Sequence, residues 1–197
     1  MTVLVILVSG LYFLWSSFSK LEPPSWAPEV NVVVYDQDLM QPGWTVFGPN
    51  MNANKGEEEH PSYFAFDESG ELVWYYEQPG DVITYGNKDL EVLPDGNYLI
   101  HIDKGFRVIE PDGKLVFEFD SIDLGLGEIH HDITFTPDRT FIAIASKVVE
   151  LEAAWTQRPG VNKITTELLV EVDYTGDIVW VWDSLDHLDI NRIALEQ

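Results

Sequence analysis

The feature that most constrains this chain of 197 residues is a strand–turn–strand pattern that returns at a fixed spacing. Three segments carry an aromatic residue four places beyond a turn glycine: 63–74, 106–117 and 169–180. A second kind of hairpin lies between them, and residues 88–99 align without a gap on residues 131–142, an offset of 43. The step from Gly70 to Gly113 is also 43. Two hairpins per period make four strands per unit, and this period is typical of a β-propeller blade.

The repeat predicts an all-β propeller with four-stranded blades, of which about three are present: residues 31–76, 88–119 and 130–182. Residues 31–35 and 44–47 are interpreted as the first two strands. The third blade has about 20 extra residues, which we place within 150–166. Propellers have four to eight blades, and an open ring leaves apolar faces and strand edges bare. The count therefore predicts part of a six-bladed ring, shortened at its C-terminal end or completed by a second chain.

The first eighteen residues are almost wholly apolar and carry no charged side chain. That length reaches the lower limit for a membrane span, so residues 1–19 are predicted to be a transmembrane signal anchor. Residues 20–29 contain three prolines and are predicted to be a stiff linker, with the partial propeller domain in residues 30–197. A cleaved signal peptide is one alternative, although the basic n-region of a signal peptide is missing. A buried core helix is the other. We expect a single-pass protein of the cell membrane with its propeller on the periplasmic or extracellular side.

Charge and cysteine content exclude several classes of function. The formal charge is −23, from 34 acidic against 11 basic residues. Such a surface repels phosphate groups, so no nucleic acid is expected as a partner and the membrane is reached only through the N-terminal helix. The chain has no cysteine, which excludes disulfides, thiolate zinc sites and a cysteine nucleophile.

The segment Gly127–Phe135 holds two of the five histidines, His130 and His131, side by side where a strand begins. In the 43-residue alignment they replace Asn87 and Lys88, so they do not belong to the blade pattern. We therefore predict that both are catalytic.

The neighbouring Asp132 aligns with Asp89, which indicates a structural role near the site. Strand alternation predicts that His131 shares a face with Ile133, and that His130 shares the other face with Asp132.

Three chemistries suit this pair of imidazoles. A neutral ring can attack a sulfuryl or phosphoryl group, or it can carry a proton near neutral pH. The pair could also hold a metal together with Glu128 and Asp132, but adjacent residues of a strand point to opposite faces. That geometry argues against one shared ion, and we predict neither a metal nor a cofactor.

Three segments resemble the bacterial arylsulfate sulfotransferase family. They are Gly-Glu-Ile-His-His-Asp-Ile at residues 127–133, Pro-Gly-Trp-Thr-Val-Phe at residues 42–47, and the hairpin that ends in Val-Trp-Asp at residues 169–183. The resemblance extends over roughly residues 30–188. It implies an exported six-bladed propeller that moves a sulfuryl group from a phenolic sulfate ester to a phenol, through a sulfated histidine and without a nucleotide donor.

The resemblance carries over residue by residue only at His130 and His131. The later segments of the family, which include its nucleophilic histidine, have no counterpart before Gln197, so this chain is expected to be an N-terminal portion that is inactive alone. Trp155 and Arg158 in the inserted segment are weaker candidates for binding the aromatic sulfate. The alternative is a non-catalytic propeller used for binding or scaffolding at the cell envelope, because a fold does not settle a function.

Overall fold

The computed structural model describes residues 22–25, 27–48, 62–79, 90–102, 104–151, 160 and 162–191. The predicted membrane anchor, residues 1–19, lies outside these ranges, so it stays a prediction. Over the part of the chain that is described, no helix is long and apolar enough to cross a membrane.

The described chain is all-β, as the repeat predicts. Its strands, in chain order, are β1 Thr45–Phe47, β2 Ser62–Phe66, β3 Leu72–Glu77, β4 Leu90–Val92, β5 Tyr98–Ile102, β6 Gly105–Ile109, β7 Leu115–Asp120, β8 Ile129–Phe135, β9 Phe141–Glu150, β10 Lys163–Val172 and β11 Ile178–Asp183. Two short 3₁₀ turns follow β7 and β11, at Ile122–Leu124 and Ser184–Asp186. The strands form three antiparallel sheets, each of which follows the order of the chain. Closure into a propeller stays a prediction.

The chain divides into two compact units. Among the described residues, those up to Phe47 and Ser62–Glu77 form the first, which contains the sheet β1-β2-β3. The predicted strand at residues 31–35 is wrong, because this segment pairs with no strand in the described chain and Val33 is 87% exposed. A run of valines has the propensity for a strand, but a strand also needs a neighbour for its backbone hydrogen bonds.

The second unit holds two four-stranded sheets, β4-β5-β6-β7 and β8-β9-β10-β11. The predicted pattern of two hairpins per repeat is therefore confirmed in these two sheets, whereas the sheet β1-β2-β3 has three described strands. The predicted insertion is present, but it begins before residue 150 and ends after residue 166, because it lengthens the two strands that flank it. Strands β9 and β10 have ten residues each, whereas β5 and β6 have five.

An aspartate at the start of several turns explains why these hairpins close where they do. In the β10–β11 turn, the Asp173 carboxylate accepts hydrogen bonds from the Thr175 hydroxyl at 2.6 Å and from the Thr175 and Asp177 backbone N–H groups. Gly176 supplies the positive φ of 87° that the turn requires. The hydrogen bond from the Thr175 hydroxyl, followed by those from the backbone, holds the pKa of Asp173 below its ordinary value.

The two sheets of the second unit pack face to face on a shared apolar core. Its fully or nearly buried members come from both sheets: Leu93, Leu99, Phe106, Val108, Phe119, Ile129, Ile133, Phe141, Ala143, Ala145, Leu168, Val170 and Val172. Ile129 and Ile133 anchor the first strand of the second sheet in this core. The residues between them are the predicted site.

Candidate functional site

Strand β8 is broken by a bulge at the histidine pair. Ile129 lies opposite Ala145 and Ile133 lies opposite Ala143, so residues 130–132 face the single residue Ile144. His131 has a φ of 66°, which is unusual for a residue with a side chain. Bulges of this kind re-aim side chains and often lie next to functional sites.

The bulge changes which way the histidines point. His131 is exposed, whereas Ile133 is 2% exposed, so the predicted common face of these two residues is wrong. Alternation requires an unbroken ladder, and the ladder stops between Ile129 and Ile133. The His130 and His131 rings instead meet edge to face, with centroids 4.9 Å apart. The argument that neighbouring histidines must point to opposite faces fails here for the same reason.

His130 forms a pair with a carboxylate on β10. Its Nε2 lies 2.8 Å from Oε2 of Glu167, which places a donated N–H between the two atoms. Its other ring nitrogen, Nδ1, is buried and has no hydrogen-bond partner within the structure. When Nε2 carries the proton of a neutral imidazole, Nδ1 holds the lone pair.

Glu167 stands opposite His130 because of the insertion. In the preceding sheet, the counterpart of β10 begins only at Gly105, which aligns with Leu168, so Glu167 belongs to the added part of the strand. Its backbone N–H donates to the Ser184 hydroxyl at 3.0 Å, which ties it to the 3₁₀ turn after β11. The residues that break the repeat on β8 and on β10 therefore meet in space.

A close contact next to the site explains Gly127. Its N–H donates to the Ser146 carbonyl at 2.7 Å, and the Ser146 N–H donates to the Glu128 carbonyl at 3.0 Å. A β-carbon on Gly127 would collide with the Ser146 hydroxyl and lie 2.7 Å from its carbonyl oxygen. Only glycine fits where β8 approaches the lengthened part of β9.

Asp132, predicted to be structural, lies in the same bulge as the two histidines and is exposed. Trp155 and Arg158 lie outside the described residues. His187 stacks on Trp182 at 4.9 Å with nearly parallel rings, and it is no part of the histidine pair. Within the described ranges, no three histidine, aspartate or glutamate side chains are arranged to hold a metal ion.

Sequence reasoning found the histidines but missed Glu167. One feature of the sequence could have pointed to it: the histidine pair and the insertion both interrupt the third repeat. Glu167 lies one residue beyond the segment 150–166 in which the insertion is predicted. Chemically, the arrangement offers an imidazole oriented by a carboxylate and a second, exposed imidazole against it. Such a set can accept a proton, attack an electrophile or hydrogen-bond to an anion.

Comparison with known proteins supplies a family. The family model described as arylsulfotransferase (ASST) matches residues 9–197. No curated protein matches the chain.

Proposed function

The chain belongs to the arylsulfotransferase family, as its motifs predict, and on that footing we propose that it transfers a sulfuryl group from a phenolic sulfate ester to a phenol through a histidine. In this proposal His130 and His131 contact the transferred group, and Glu167 orients His130. The substrates are small aryl sulfates and phenols. The site uses neither a metal nor a cofactor.

The observation that carries the proposal is the state of the His130 ring. One nitrogen is held by the Glu167 carboxylate at 2.8 Å, while the other is buried and has no hydrogen-bond partner among the residues that the structure describes. A buried polar atom without a partner is unusual and costs about 1–3 kcal/mol, so it is a natural place for a ligand atom to bind. A carboxylate on one nitrogen also fixes the orientation and the tautomer of the ring, so that the lone pair lies on the other nitrogen.

The exposed ring of His131 is the part of the pair that an ester reaches first. A protonated ring nitrogen on His131 can donate to an oxygen atom of the sulfate ester. Charge develops on the sulfuryl oxygen atoms and on the departing phenol oxygen, and hydrogen bonds to such atoms lower the barrier.

The transfer balances in two steps. A histidine nitrogen forms a bond to sulfur while the ester S–O bond breaks, and the aryloxide leaves with the electron pair. The acceptor phenol then attacks the sulfur and the N–S bond breaks. The phenol proton passes to an imidazole nitrogen that acts as a general base and then on to the aryloxide, so that the imidazole regains its lone pair.

We also propose that the two packed four-stranded sheets are neighbouring blades of a propeller. Both run in chain order, and they share one core. In such a ring the first strand of a blade is the innermost, so the bulge of β8 would face the central channel. This placement would bring the histidine pair to the region where a small aryl sulfate can enter.

The test of the function is an assay of sulfuryl transfer from a chromogenic aryl sulfate to a phenol with the full-length protein. The double variant His130→Ala, His131→Ala is expected to lose at least about 10²-fold in kcat/KM, because it removes both imidazoles. The control is His187→Ala, which removes an exposed histidine just after the 3₁₀ turn that follows β11 and is expected to keep full activity.

Equal rates in the double variant and the wild type would contradict the proposal. Aryl-sulfate binding without any transfer by the wild type would instead favour a binding function for the propeller.

A further inference from the structure

A third histidine lies directly behind the site. His101 on β5 is 6% exposed, and its Nε2 lies 2.6 Å from the carbonyl oxygen of Ile129. Because a carbonyl can only accept, Nε2 carries the proton and donates it. Ile129 is the last residue before the bulge, so this bond holds the chain at the point where it enters the histidine pair.

The C-terminal end of β8 is also held by a side chain of the sheet β4-β5-β6-β7. The Phe135 N–H donates to Oε2 of Glu91 on β4 at 2.9 Å. The strand is therefore tied at both ends by side chains of the preceding sheet. Between those ties its own ladder to β9 is interrupted from Ile129 to Ile133.

The bulge needs such support because it is strained. The positive φ of His131 is unfavourable for a residue with a side chain, and strained residues persist only where their surroundings hold them in place. The register of the β8–β9 ladder gives no partner to residues 130–132, so the nearest fixed point on the N-terminal side is Ile129, which is held by its pairing with Ala145 and by the bond from His101. A shift of the Ile129 carbonyl moves the backbone of His130 directly.

We infer that His101 is a positioning residue of this site. By donating to Ile129, it fixes the direction in which β8 enters the bulge and keeps His130 within reach of Glu167. Its side chain is buried in the contact between the two sheets and touches no substrate. The kinetic part of this inference rests on the proposed function, whereas the geometric part does not.

The test compares the two hydrogen bonds that hold the opposite ends of β8. His101→Leu removes the donor to Ile129, and the matched control Glu91→Leu removes the acceptor of the Phe135 N–H at the other end. In His101→Gln, an amide N–H can occupy the place of Nε2; in His101→Asn, the amide is too short to reach Ile129. All are compared at a temperature at which circular dichroism shows each variant folded.

The readouts are the rate at which diethyl pyrocarbonate modifies His130, mapped by peptide mass spectrometry, and the kinetics of sulfuryl transfer. In His101→Leu and His101→Asn we expect His130 to react on the order of 10-fold faster and kcat to fall on the order of 10-fold with little change in KM, since small misplacements of a reacting group have effects of this size. His101→Gln is expected to restore both within about 2-fold. If His101→Leu does not fold, His101→Asn against His101→Gln carries the comparison.

Two results would overturn the inference. One is a His130 reactivity that is unchanged by His101→Leu or His101→Asn, which would mean that the bond only joins two sheets. The other is a loss in Glu91→Leu equal to that in the His101 variants, which would mean that any weakening of β8 suffices. Altered His130 reactivity in a protein without transfer activity would reject the proposed function and support the positioning role.

Discussion

Replacement of Glu167 by glutamine is expected to lower kcat of sulfuryl transfer on the order of 10²-fold while leaving the free energy of unfolding almost unchanged. The amide oxygen of glutamine can still accept from Nε2 of His130, which lies 2.8 Å from the carboxylate. What disappears is the negative charge beside the ring, which stabilises the positive charge that develops on the ring in the transition state. Because the Glu167 side chain is 53% exposed, its pair with His130 contributes little to stability.

The matched control is Glu171→Gln on the same strand, four residues further along. The Glu171 carboxylate accepts from the Thr140 hydroxyl at 2.6 Å and touches neither histidine. Its variant is expected to keep kcat within about 2-fold of the wild type, because no reacting group moves. The measurement is initial-rate kinetics of both variants with a chromogenic aryl sulfate, beside urea unfolding. An equal fall of kcat in the two variants would show that Glu167 has no specific role in the site.

The largest loss of stability is expected from Gly105→Ala, at about 4 kcal/mol. Gly105 begins β6 opposite the end of β7, and a β-carbon there would collide with the Phe119 carbonyl oxygen and carbon. Backbone atoms of a paired strand cannot move aside without breaking the ladder between β6 and β7. The same end of β7 is held by the Ser121 N–H and hydroxyl, which both donate to the Lys104 carbonyl.

The control for this substitution is Gly96→Ala in the β4–β5 turn. Gly96 has a φ of 86°, but a β-carbon there would meet no atom within 4 Å. Only the strain of the left-handed backbone remains, so a loss of about 1–2 kcal/mol is expected. Urea unfolding curves of both variants give the comparison. Equal losses of stability in the two variants would show that small backbone shifts relieve the close contact at Gly105.

Local chemistry explains which parts of the fold could be predicted. The hairpins close at Asp, Gly and Pro residues whose preferences act over four residues, as the hydrogen bonds of Asp173 show. The internal repeat then predicts the two hairpins found in each four-stranded sheet. The predicted strand at residues 31–35 is wrong because strand pairing depends on residues that are distant in the sequence. Its β-branched residues suit a strand, yet no neighbour in the described chain pairs with it.

The site shows the same division between local and distant information. His130 and His131 could be found because they interrupt a repeat. The bulge could not, since the alternation rule assumes a continuous ladder and nothing in the residue types requires the φ of His131. Glu167 lies 37 positions beyond His130 in the chain, and only the paired and lengthened strands β9 and β10 bring it back.

The central claim is that the sulfate of an aryl ester meets His130 and His131. With five histidines in the chain, their ring signals can be assigned individually by NMR and followed while an aryl sulfate is added. We expect saturable shifts of the His130 and His131 signals, with the signal of His187, which stacks on Trp182, unchanged. Saturable binding that shifts other histidines and leaves the His130 and His131 signals in place would contradict it.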